Sequence, residues 1–553
     1  MLEKPAKKPK GQPPDADSRP DFEIPDLLFP DARLSFDANA VEELLELSFL
    51  GKEAAAGLER SLSSLRVDGD WDPDLFADDL FLRDLVRETF SVELEGLRYP
   101  INSAFLFQVV ASPPTTLEGV HFRQEILREL DTDDAVMASA RALYRDTARL
   151  LDLFKAPDHA AQLDFDAHRL DIFRQAKKVI DRMAADFGDA RSGLRRLADG
   201  GASLQSSRPY RRLAELLDFE KRQATLRVDL DIGADGEIHD LRLLEIEENT
   251  SNPHYVSPWR RLWHRGFAIF GGYRLSRRTI LRRLLQRVYE EVSPSLVPLM
   301  QVLAHLEVYL AAFGFKKRLE REGYAVCLPE ISEDQPVEIT GLFNPLLLEA
   351  GGPPVPADLK VDAARPLLLL TGPNSGGKTR LLQALALAQV LGQSGLFAPA
   401  RAARLPLIKG LFVSLVETET VHAAEGRLGR EMKRIRSVFQ RVGTPAMVIL
   451  DELCSGTNPS EGIEIFDVVL RLLDRFDSAA FISTHFLDYA ADLDERRPLD
   501  GLRFLQVAGD EHGLGRFQFT PGVARSSLAK ATAERLGVTF EELSEVIDRR
   551  RRG

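Results

Sequence analysis

A glycine-rich stretch constrains the fold of the C-terminal part of the chain more than any other feature. Residues Gly372 to Thr379 read Gly-Pro-Asn-Ser-Gly-Gly-Lys-Thr, which matches the pattern G-x-x-x-x-G-K-[ST]. The apolar run Leu367-Leu-Leu-Leu precedes this stretch, and a helical pattern begins after it at Arg380. The order strand, glycine loop, helix predicts a wound α/β domain whose loop binds the phosphates of a nucleotide.

Each part of this loop has an expected role in binding ATP and Mg²⁺. The glycines let successive backbone N–H groups converge on phosphate oxygens, and the N-terminus of the following helix adds its dipole. Lys378 would reach the β- and γ-phosphates, and the Thr379 hydroxyl would ligate Mg²⁺. The predicted nucleotide-binding residues are Gly372, Pro373, Asn374, Ser375, Gly376, Gly377, Lys378 and Thr379.

Two further apolar runs end in polar residues that suit the same chemistry. The run from Ala446 ends in Asp451 and Glu452, and the run from Ala480 ends at His485. A carboxylate at the end of a buried strand suits Mg²⁺ coordination, and the next one can orient or deprotonate the attacking water. The predicted catalytic residues are Glu452, Lys378 and His485, the last as a γ-phosphate sensor. The predicted Mg²⁺ ligands are Thr379 and Asp451.

Together these motifs resemble the MutS family of DNA mismatch-repair ATPases, which are ABC-type P-loop proteins. Thr371 to Thr379 is nearly that family's phosphate loop, and Asp451 to Gly462 resembles its D-E-x-x-x-G-T segment. Ser483-Thr-His485 matches the family's switch histidine, and the stretch from Pro521 resembles the one before its C-terminal dimer-contact helices. The resemblance covers roughly residues 100 to 545. It implies a cytoplasmic homodimer that binds ATP between its subunits.

Two departures from the family pattern limit what the resemblance implies. Only about 100 residues precede the helical core, and they contain no Phe-x-Glu wedge, so we expect a shortened member without the mismatch-recognition domain. Around His422 to Met432 the family's Ser-Thr-Phe-Met loop is replaced by a sequence without those hydroxyls. Arg427 or Arg430 could substitute for them in the partner's site, although charged loop residues are more often solvated.

The rest of the chain divides into three segments by composition and periodicity. Residues 1–30 are rich in Pro, Lys and Asp and predict a disordered tail, and residues 31–100 predict an N-terminal helical region. Residues 101–340 predict a helical core and lever with a clamp-like β tip near 222–256, where Thr225 to Ile232 and Leu241 to Glu247 alternate. The ATPase domain with its dimer-contact helices would occupy residues 341–553. The predicted fold class is thus multidomain, with an α-helical core carrying a small β hairpin and then an α/β ABC-type P-loop domain.

Composition favours a cytoplasmic protein that does not cross a membrane. The two cysteines are too few for a disulfide framework, and the basic N-terminus runs into no apolar segment that would form a secretory signal. No run reaches the roughly 18 uninterrupted apolar residues that a membrane span needs.

One basic stripe interrupts this acidic chain of net charge −13. Between Trp259 and Arg287 there are nine arginines and no Asp or Glu, with aromatic residues interleaved. The stripe is a candidate contact for DNA phosphates, although its arginines could instead pair with acidic neighbours such as Glu245 and Glu247. The predicted DNA contacts are Arg260, Arg261, Arg274, Arg277, Arg278, Arg282 and Arg283.

The favoured interpretation is an ATP-dependent, DNA-binding homodimer that clamps duplex or branched DNA without sequence specificity. It would act in DNA repair or recombination. A chromosome-maintenance ATPase of the SMC kind is a weaker alternative, because no long heptad coiled coil or LSGG-type loop is evident. An ATP-switched scaffold that binds proteins and not DNA is a second alternative, which the net charge of −13 favours.

Overall fold

A computed structural model gives the structure of most of the chain. It describes residues 23–66, 71–155, 165–220, 225–232, 238–247, 277–349, 351–363, 365–373, 376–415, 427–455, 458–508, 517–524 and 538–552. Only the backbone is described at 165–166, 219–220, 225–232, 238–247, 277–283, 349, 427 and 552.

The N-terminal half is a helical domain. Its helices are α1 (Ala38–Phe49), α2 (Ala55–Leu62), α3 (Leu82–Thr89), α4 (Ser103–Ala111), α5 (Leu117–Thr132), α6 (Asp134–Lys155), α7 (Phe165–Asp186), α8 (Arg195–Ser206), α9 (Arg208–Glu220) and α10 (Arg277–Arg321). Polar caps define several starts: Asp37 accepts from the N–H groups of Asn39 and Ala40, and Thr116 accepts from that of Gly119.

Helix α10 is the central element of this domain. It runs for 45 residues and contains Pro294 and Pro298. Its Leu284–Arg321 part is long and apolar enough to cross a membrane, but 94% of its most apolar window is buried inside the protein. That part therefore serves as the core helix of the domain, with side chains such as Leu306 and Tyr309 fully buried.

The first described residues correct the prediction of a disordered tail through residue 30. Leu27 and Leu28 are fully buried in the helical domain. The Asp26 carboxylate accepts from the backbone N–H groups of Leu28, Phe29 and Arg33, which folds the segment into a tight turn. The Pro, Lys and Asp content of residues 1–30 as a whole is typical of a disordered tail, but Leu27 and Leu28 are apolar residues that pack into the helical domain and give this end of the segment a defined structure.

A buried histidine ties this segment to α10. The Leu27 N–H donates to His305 Nδ1 at 3.1 Å, so the ring hydrogen lies on Nε2 and is donated to Ser35 Oγ at 2.8 Å. Gln301, one helical turn earlier, accepts from the Ser35 N–H. Burial lowers the pKa of His305 to about 3 and raises that of Asp26 to about 6.

Two antiparallel hairpins accompany the helices. The first pairs β1 (Val92–Leu94) with β2 (Leu97–Tyr99), inside the region predicted to be helical only. The second pairs β3 (Thr225–Ile232) with β4 (Ile238–Glu247), with Leu226 opposite Ile246. The hairpin predicted from alternation at these residues is therefore present, whereas its clamp function stays a prediction.

The C-terminal half is an α/β domain. Its strands are β5 (Glu330–Ser332), β6 (Glu338–Leu342), β7 (Ala357–Lys360), β8 (Leu367–Thr371), β9 (Ala402–Pro406), β10 (Gly410–Ser414), β11 (Ala446–Leu450), β12 (Ser478–Ser483), β13 (Leu502–Val507) and β14 (Phe519–Pro521). Its helices are α11 (Leu346–Glu349), α12 (Lys378–Gln393), α13 (Arg427–Arg441), α14 (Pro459–Arg475), α15 (Leu487–Arg496) and α16 (Phe540–Arg552).

Two sheets organise this domain. The larger has the order β10-β11-β12-β8-β13-β14, parallel except for β14 at its edge. The smaller has the order β5-β9-β6-β7. Because β5 pairs with β9, the α/β domain begins no later than Glu330, and the predicted boundary at 341 falls inside β6.

The His305 contacts predict a pH-dependent contribution to stability. The imidazole binds a proton in the unfolded chain below about pH 6.5 but stays neutral in the folded protein down to about pH 3, so its contribution falls as pH falls through this window. We expect His305→Gln to cost more free energy of unfolding at pH 7 than at pH 5. Below about pH 6.5, the cost of this substitution should fall by up to about 1.4 kcal/mol for each unit that the pH is lowered.

Urea unfolding of the wild type and of His305→Gln at both pH values measures this difference. His121→Gln is the control, because that histidine is exposed. A cost of His305→Gln that does not change with pH would contradict the assignment.

Candidate functional site

The predicted site residues follow strands that end at the same edge of the larger sheet. β12 lies between β8 and β11 and is parallel to both, with Ser483 opposite Leu370 and Ile482 opposite Leu450. All five residues of β8 are buried, as are those of β11. The loops after these three strands therefore lie side by side at the carboxyl edge, where α/β sheets bind ligands.

The glycines of the phosphate loop are required by both backbone conformation and packing. Gly372 and Gly377 have φ values of +135° and +84°, which favour glycine. A Cβ at Gly372 or at Gly376 would lie 2.8 Å from Val507 Cγ2, and one at Gly377 would lie 2.9 Å from Phe517 Cδ1. The predicted residues Asn374 and Ser375 lie outside the described residues.

Lys378 begins α12 and is nearly fully buried. Its ammonium donates to the carbonyl oxygens of Gly372 at 2.9 Å and Pro373 at 3.1 Å. Burial lowers the pKa of Lys378, and the negative charges of Glu452 and Asp451 oppose that shift. The Glu452 carboxylate lies 4.0 Å from the ammonium, so the lysine faces both the loop and the predicted catalytic carboxylate.

The Asp451 carboxylate, directly after β11, links the first turn of α12 to the end of β12. The Thr379 hydroxyl donates to its Oδ2 at 2.5 Å, and the Ser483 hydroxyl donates to its Oδ1. Ser483 Oγ also accepts from the Glu452 N–H at 2.9 Å. The structure thus brings Thr379 and Asp451 together. The structure also adds Ser483, which was not among the predicted site residues. Its position two residues before His485 was a sequence signal that could have identified it.

The loop after Asp451 has an unusual backbone that two contacts hold. Glu452 and Cys454 have φ values of +49° and +61°, a region that costs a non-glycine residue about 1 to 2 kcal/mol. Ser483 holds the Glu452 N–H, and Glu431 Oε1 in α13 accepts from the Cys454 N–H at 2.8 Å. Burial and the nearby Glu431 charge raise the pKa of the Cys454 thiol to about 12, so Cys454 is a packing residue and not a thiolate nucleophile.

His485 follows β12 and is exposed. Its ring lies against that of Phe486, with 4.1 Å between centroids. Partial desolvation lowers the pKa of His485, the Glu452 carboxylate raises it, and the Lys378 ammonium lowers it. The imidazole is therefore neutral near pH 7 and lies in the electrostatic field of both predicted catalytic groups.

An apolar cavity of about 230 Å³ opens beside the phosphate loop. It starts at Gly377 and Arg380 and extends between the two sheets. Its lining includes Leu342, Phe343, Asn344, Leu347, Pro354, Val355, Leu381, Phe517 and Phe519. The cavity is a suitable place for a flat apolar group joined to a phosphate chain.

The predicted DNA contacts lie mostly beyond the described side chains. Arg260, Arg261 and Arg274 are outside the described residues. Arg277, Arg278, Arg282 and Arg283 lie in the first two turns of α10, where only the backbone is described. Their role stays a prediction, as does that of Arg427 and Arg430 in a partner's site.

The parallel sheet, the glycine loop and the Thr379–Asp451 contact give this domain the architecture of a P-loop domain. Residues 368–541 match the family model described as MutS domain V. The C-terminal part of the chain is therefore similar to proteins of the MutS family. Members of this family are ATPases that use ATP and Mg²⁺, bind DNA and generally act as dimers.

Curated relatives give the same family. The chain is 29% identical over 280 residues to Endonuclease MutS2 of Streptococcus gordonii, covering 50% of this chain and 34% of that protein. For Endonuclease MutS2 of Streptococcus sanguinis the values are 29% over 279 residues, with 50% and 34% covered. For that of Streptococcus thermophilus they are 28% over 261 residues, with 46% and 32% covered. The match thus spans about a third of these relatives, and the word endonuclease belongs to their names.

Ser483 gives a test of the site geometry. We expect Ser483→Ala to lower ATP turnover about tenfold, because Asp451 loses one of its two hydroxyl donors and the Glu452 N–H loses its acceptor. Ser478→Ala is the matched control, since Ser478 is a buried serine at the opposite end of the same strand. Steady-state phosphate release measures both variants, and equal rates for them would contradict the role of Ser483.

Proposed function

We propose that the α/β domain binds ATP with Mg²⁺ and hydrolyses it. The observation that carries this proposal is the contact between the Thr379 hydroxyl and the Asp451 carboxylate, with Glu452 directly after Asp451. Mg²⁺ prefers oxygen ligands, and the hydroxyl and carboxylate oxygens of these residues lie beside the phosphate loop. Thr379 would hold the ion with Asp451 beside it, and the bound ion would neutralise charge on the phosphates.

The phosphate loop and Lys378 would bind the triphosphate. The ammonium already lies within the loop, bonded to two backbone carbonyls. Phosphate oxygens are stronger acceptors than carbonyls, so a desolvated lysine gains by exchanging its partners. The base would enter the cavity that begins at Gly377, where Phe343 and Phe517 offer aromatic surface.

Hydrolysis would use the groups on the neighbouring strands. Glu452 is partly exposed, so its carboxylate can reach a water molecule and accept a proton as that water attacks the γ-phosphorus. The bond from this phosphorus to the bridging oxygen then breaks, which releases ADP and inorganic phosphate. His485, at the end of β12, would sense the γ-phosphate.

The exposed face of α16 supports a homodimer. Phe540 is 85% exposed, and Leu543, Val546 and Ile547 are also exposed. The first turn of the helix carries Glu541 and Glu542, whereas its last residues are arginines from 549 onward. Antiparallel pairing with a second copy would bury the apolar face and align opposite charges. Each ATP site would be completed by the other subunit.

The helical domain is proposed to bind DNA. The β3–β4 hairpin and the basic stripe that follows it in sequence support a clamp on duplex or branched DNA, driven by ATP. The acidic net charge of −13 keeps a protein-binding scaffold as the second candidate, with the same ATPase and no DNA contact.

The ATPase proposal is tested by two substitutions. We expect Glu452→Gln to bind ATP with nearly unchanged affinity and to lose at least about a hundredfold in turnover, because the base is gone. Lys378→Ala should instead weaken ATP binding. Phosphate release and equilibrium titration with a fluorescent ATP analogue separate these effects, and the exposed Glu464→Gln is the control.

The same Glu452→Gln variant tests the dimer, because ATP stays bound. Light scattering with Mg²⁺ and ATP should give the mass of two copies, and the additional change Phe540→Glu should reduce the mass toward that of one copy.

A wild-type chain that binds no ATP, or binds it without any hydrolysis, would refute the proposed enzyme.

The DNA proposal is tested by neutralising part of the stripe. In this variant, the four arginines at positions 277, 278, 282 and 283 are replaced by alanine. We expect weaker binding to duplex and branched DNA and a log–log salt slope reduced by up to about 0.9 per lost phosphate contact. A matched variant changes four exposed arginines of the α/β domain, at positions 471, 475, 496 and 497. Equal DNA affinity and salt slope for the two variants would favour the scaffold.

A further inference from the structure

A segment of the helical half docks on the α/β domain. Residues 71–81, here called the clasp, include a 3₁₀ turn at Pro73–Leu75. Leu75 belongs to the same buried apolar cluster as Phe412 of β10 and Val438 of α13. Leu75 is therefore part of the core beneath β10 and α13, although about 250 residues of sequence separate the clasp from the first strand of the α/β domain.

Asp79 makes the central polar contacts of the clasp. Its side chain is buried, and its Oδ1 accepts from the Leu415 N–H at 2.7 Å, directly after β10. Its Oδ2 accepts from the Arg434 guanidinium at 2.6 Å, and the same guanidinium nitrogen donates to the Val413 carbonyl at 2.7 Å. A buried carboxylate with two charge-assisted or backbone donors fixes the position of both partners.

Arg434 lies in the middle of α13, and the clasp contacts this helix a second time. Arg441, in the last turn of α13, forms ion pairs with Asp72 and, at 3.7 Å, with Asp74. Two separate contacts on one helix oppose both its translation and its rotation.

The other end of α13 holds the catalytic loop. Glu431 lies one turn before Arg434 and accepts from the Cys454 N–H at 2.8 Å. Cys454 and Glu452 both have positive φ values, so the shape of this loop depends on outside contacts. The Asp79–Arg434 contact and the Glu431–Cys454 contact, one turn of α13 apart, thus connect the clasp through this helix to the loop that carries Glu452.

We propose that the clasp controls ATP turnover by holding α13, with Asp79 as a positioning residue for Glu452. This inference rests on the proposed ATPase function. The Asp79 side chain contacts the β10 end and α13, whereas its contact with the phosphate-loop helix is made by its backbone carbonyl, which accepts from Gln383 Nε2 at 3.1 Å. Removing the side chain therefore leaves the phosphate-loop helix its partner and loosens α13.

The chain offers a matched control for this contact. Asp78 is adjacent in sequence and exposed, so Asp78→Ala changes the charge of the clasp without changing its contact with α13. Arg434→Met removes the same ion pair from the other side. Asp79→Asn keeps an acceptor for the Leu415 N–H but loses the charge.

The experiment measures turnover and nucleotide affinity separately in the full-length chain with Mg²⁺ and ATP. We expect Asp79→Ala and Arg434→Met each to lower kcat about tenfold or more, while the Kd for a fluorescent ATP analogue stays within about twofold. Asp79→Asn should fall between these variants and the wild type. The double variant should be no slower than either single one, since both remove the same contact.

Three results would overturn the proposal: a kcat of Asp79→Ala equal to that of Asp78→Ala, losses that multiply in the double variant, or a Kd that weakens in parallel with kcat. If Asp79→Ala does not fold, Arg434→Met and Asp79→Asn decide the matter by the same criteria. A wild-type chain without hydrolysis would instead refute the proposed ATPase, so the two failures are distinguishable.

Discussion

Helix α12 is the element on which the arrangement of the two domains depends. It begins at the phosphate loop with Lys378 and is buried along nearly its whole length. At its other end, Gln393 donates to the carbonyl oxygens of Pro114 in the helical domain and Ile408 in the α/β domain. The next residue, Ser394, donates to the Val110 carbonyl and accepts from the buried Arg123. Because the helix is packed along its length, these contacts couple the position of its Lys378 end to that of the α4–α5 turn of the helical domain.

The polar groups at this junction specify one arrangement of the domains. Arg123 is fully buried in α5, and its guanidinium also donates to the Leu28 carbonyl of the N-terminal segment. Desolvation lowers the pKa of Arg123 to about 10, which leaves it charged near neutral pH. Moving such a group away from its acceptors would leave a buried charge unpaired, at a cost of several kcal/mol. Apolar packing alone tolerates sliding between surfaces, whereas these directional bonds do not.

The sequence predicted the parts of the molecule that short motifs determine. The phosphate loop, the Asp451–Glu452 pair and His485 each follow an apolar run, and parallel strands bring such ends to one edge. Ser483 was missed as a functional residue because its role comes from the pairing of β12 between β8 and β11. That order is a long-range property that no local pattern contains.

Residues 23–36 and the clasp were missed for a different reason. Both segments contain Pro and Asp among apolar residues without a helical or strand period, and each is held by hydrogen bonds with helices hundreds of residues away. Asp26 turns its own backbone, and Asp79 receives Arg434. An aspartate that will be buried has the same appearance in sequence as one that will be solvated, so only the three-dimensional partners distinguish them.

The contacts of the Lys378 ammonium with backbone carbonyls are compatible with the proposed binding of a triphosphate. Lys378 is buried next to Glu452 and Asp451, yet its ammonium bonds to two carbonyls of its own loop. Carbonyls are neutral acceptors, so they compensate only part of the desolvation that lowers the pKa of this lysine. A triphosphate brings charged acceptors to the same place and thereby stabilises both the charged lysine and the loop. The loop that carries Glu452, by contrast, is held by Ser483 and Glu431, neither of which lies in the phosphate loop. The proposed nucleotide binding and hydrolysis would therefore depend in part on different contacts, although Asp451, which contacts both Thr379 and Ser483, would serve both.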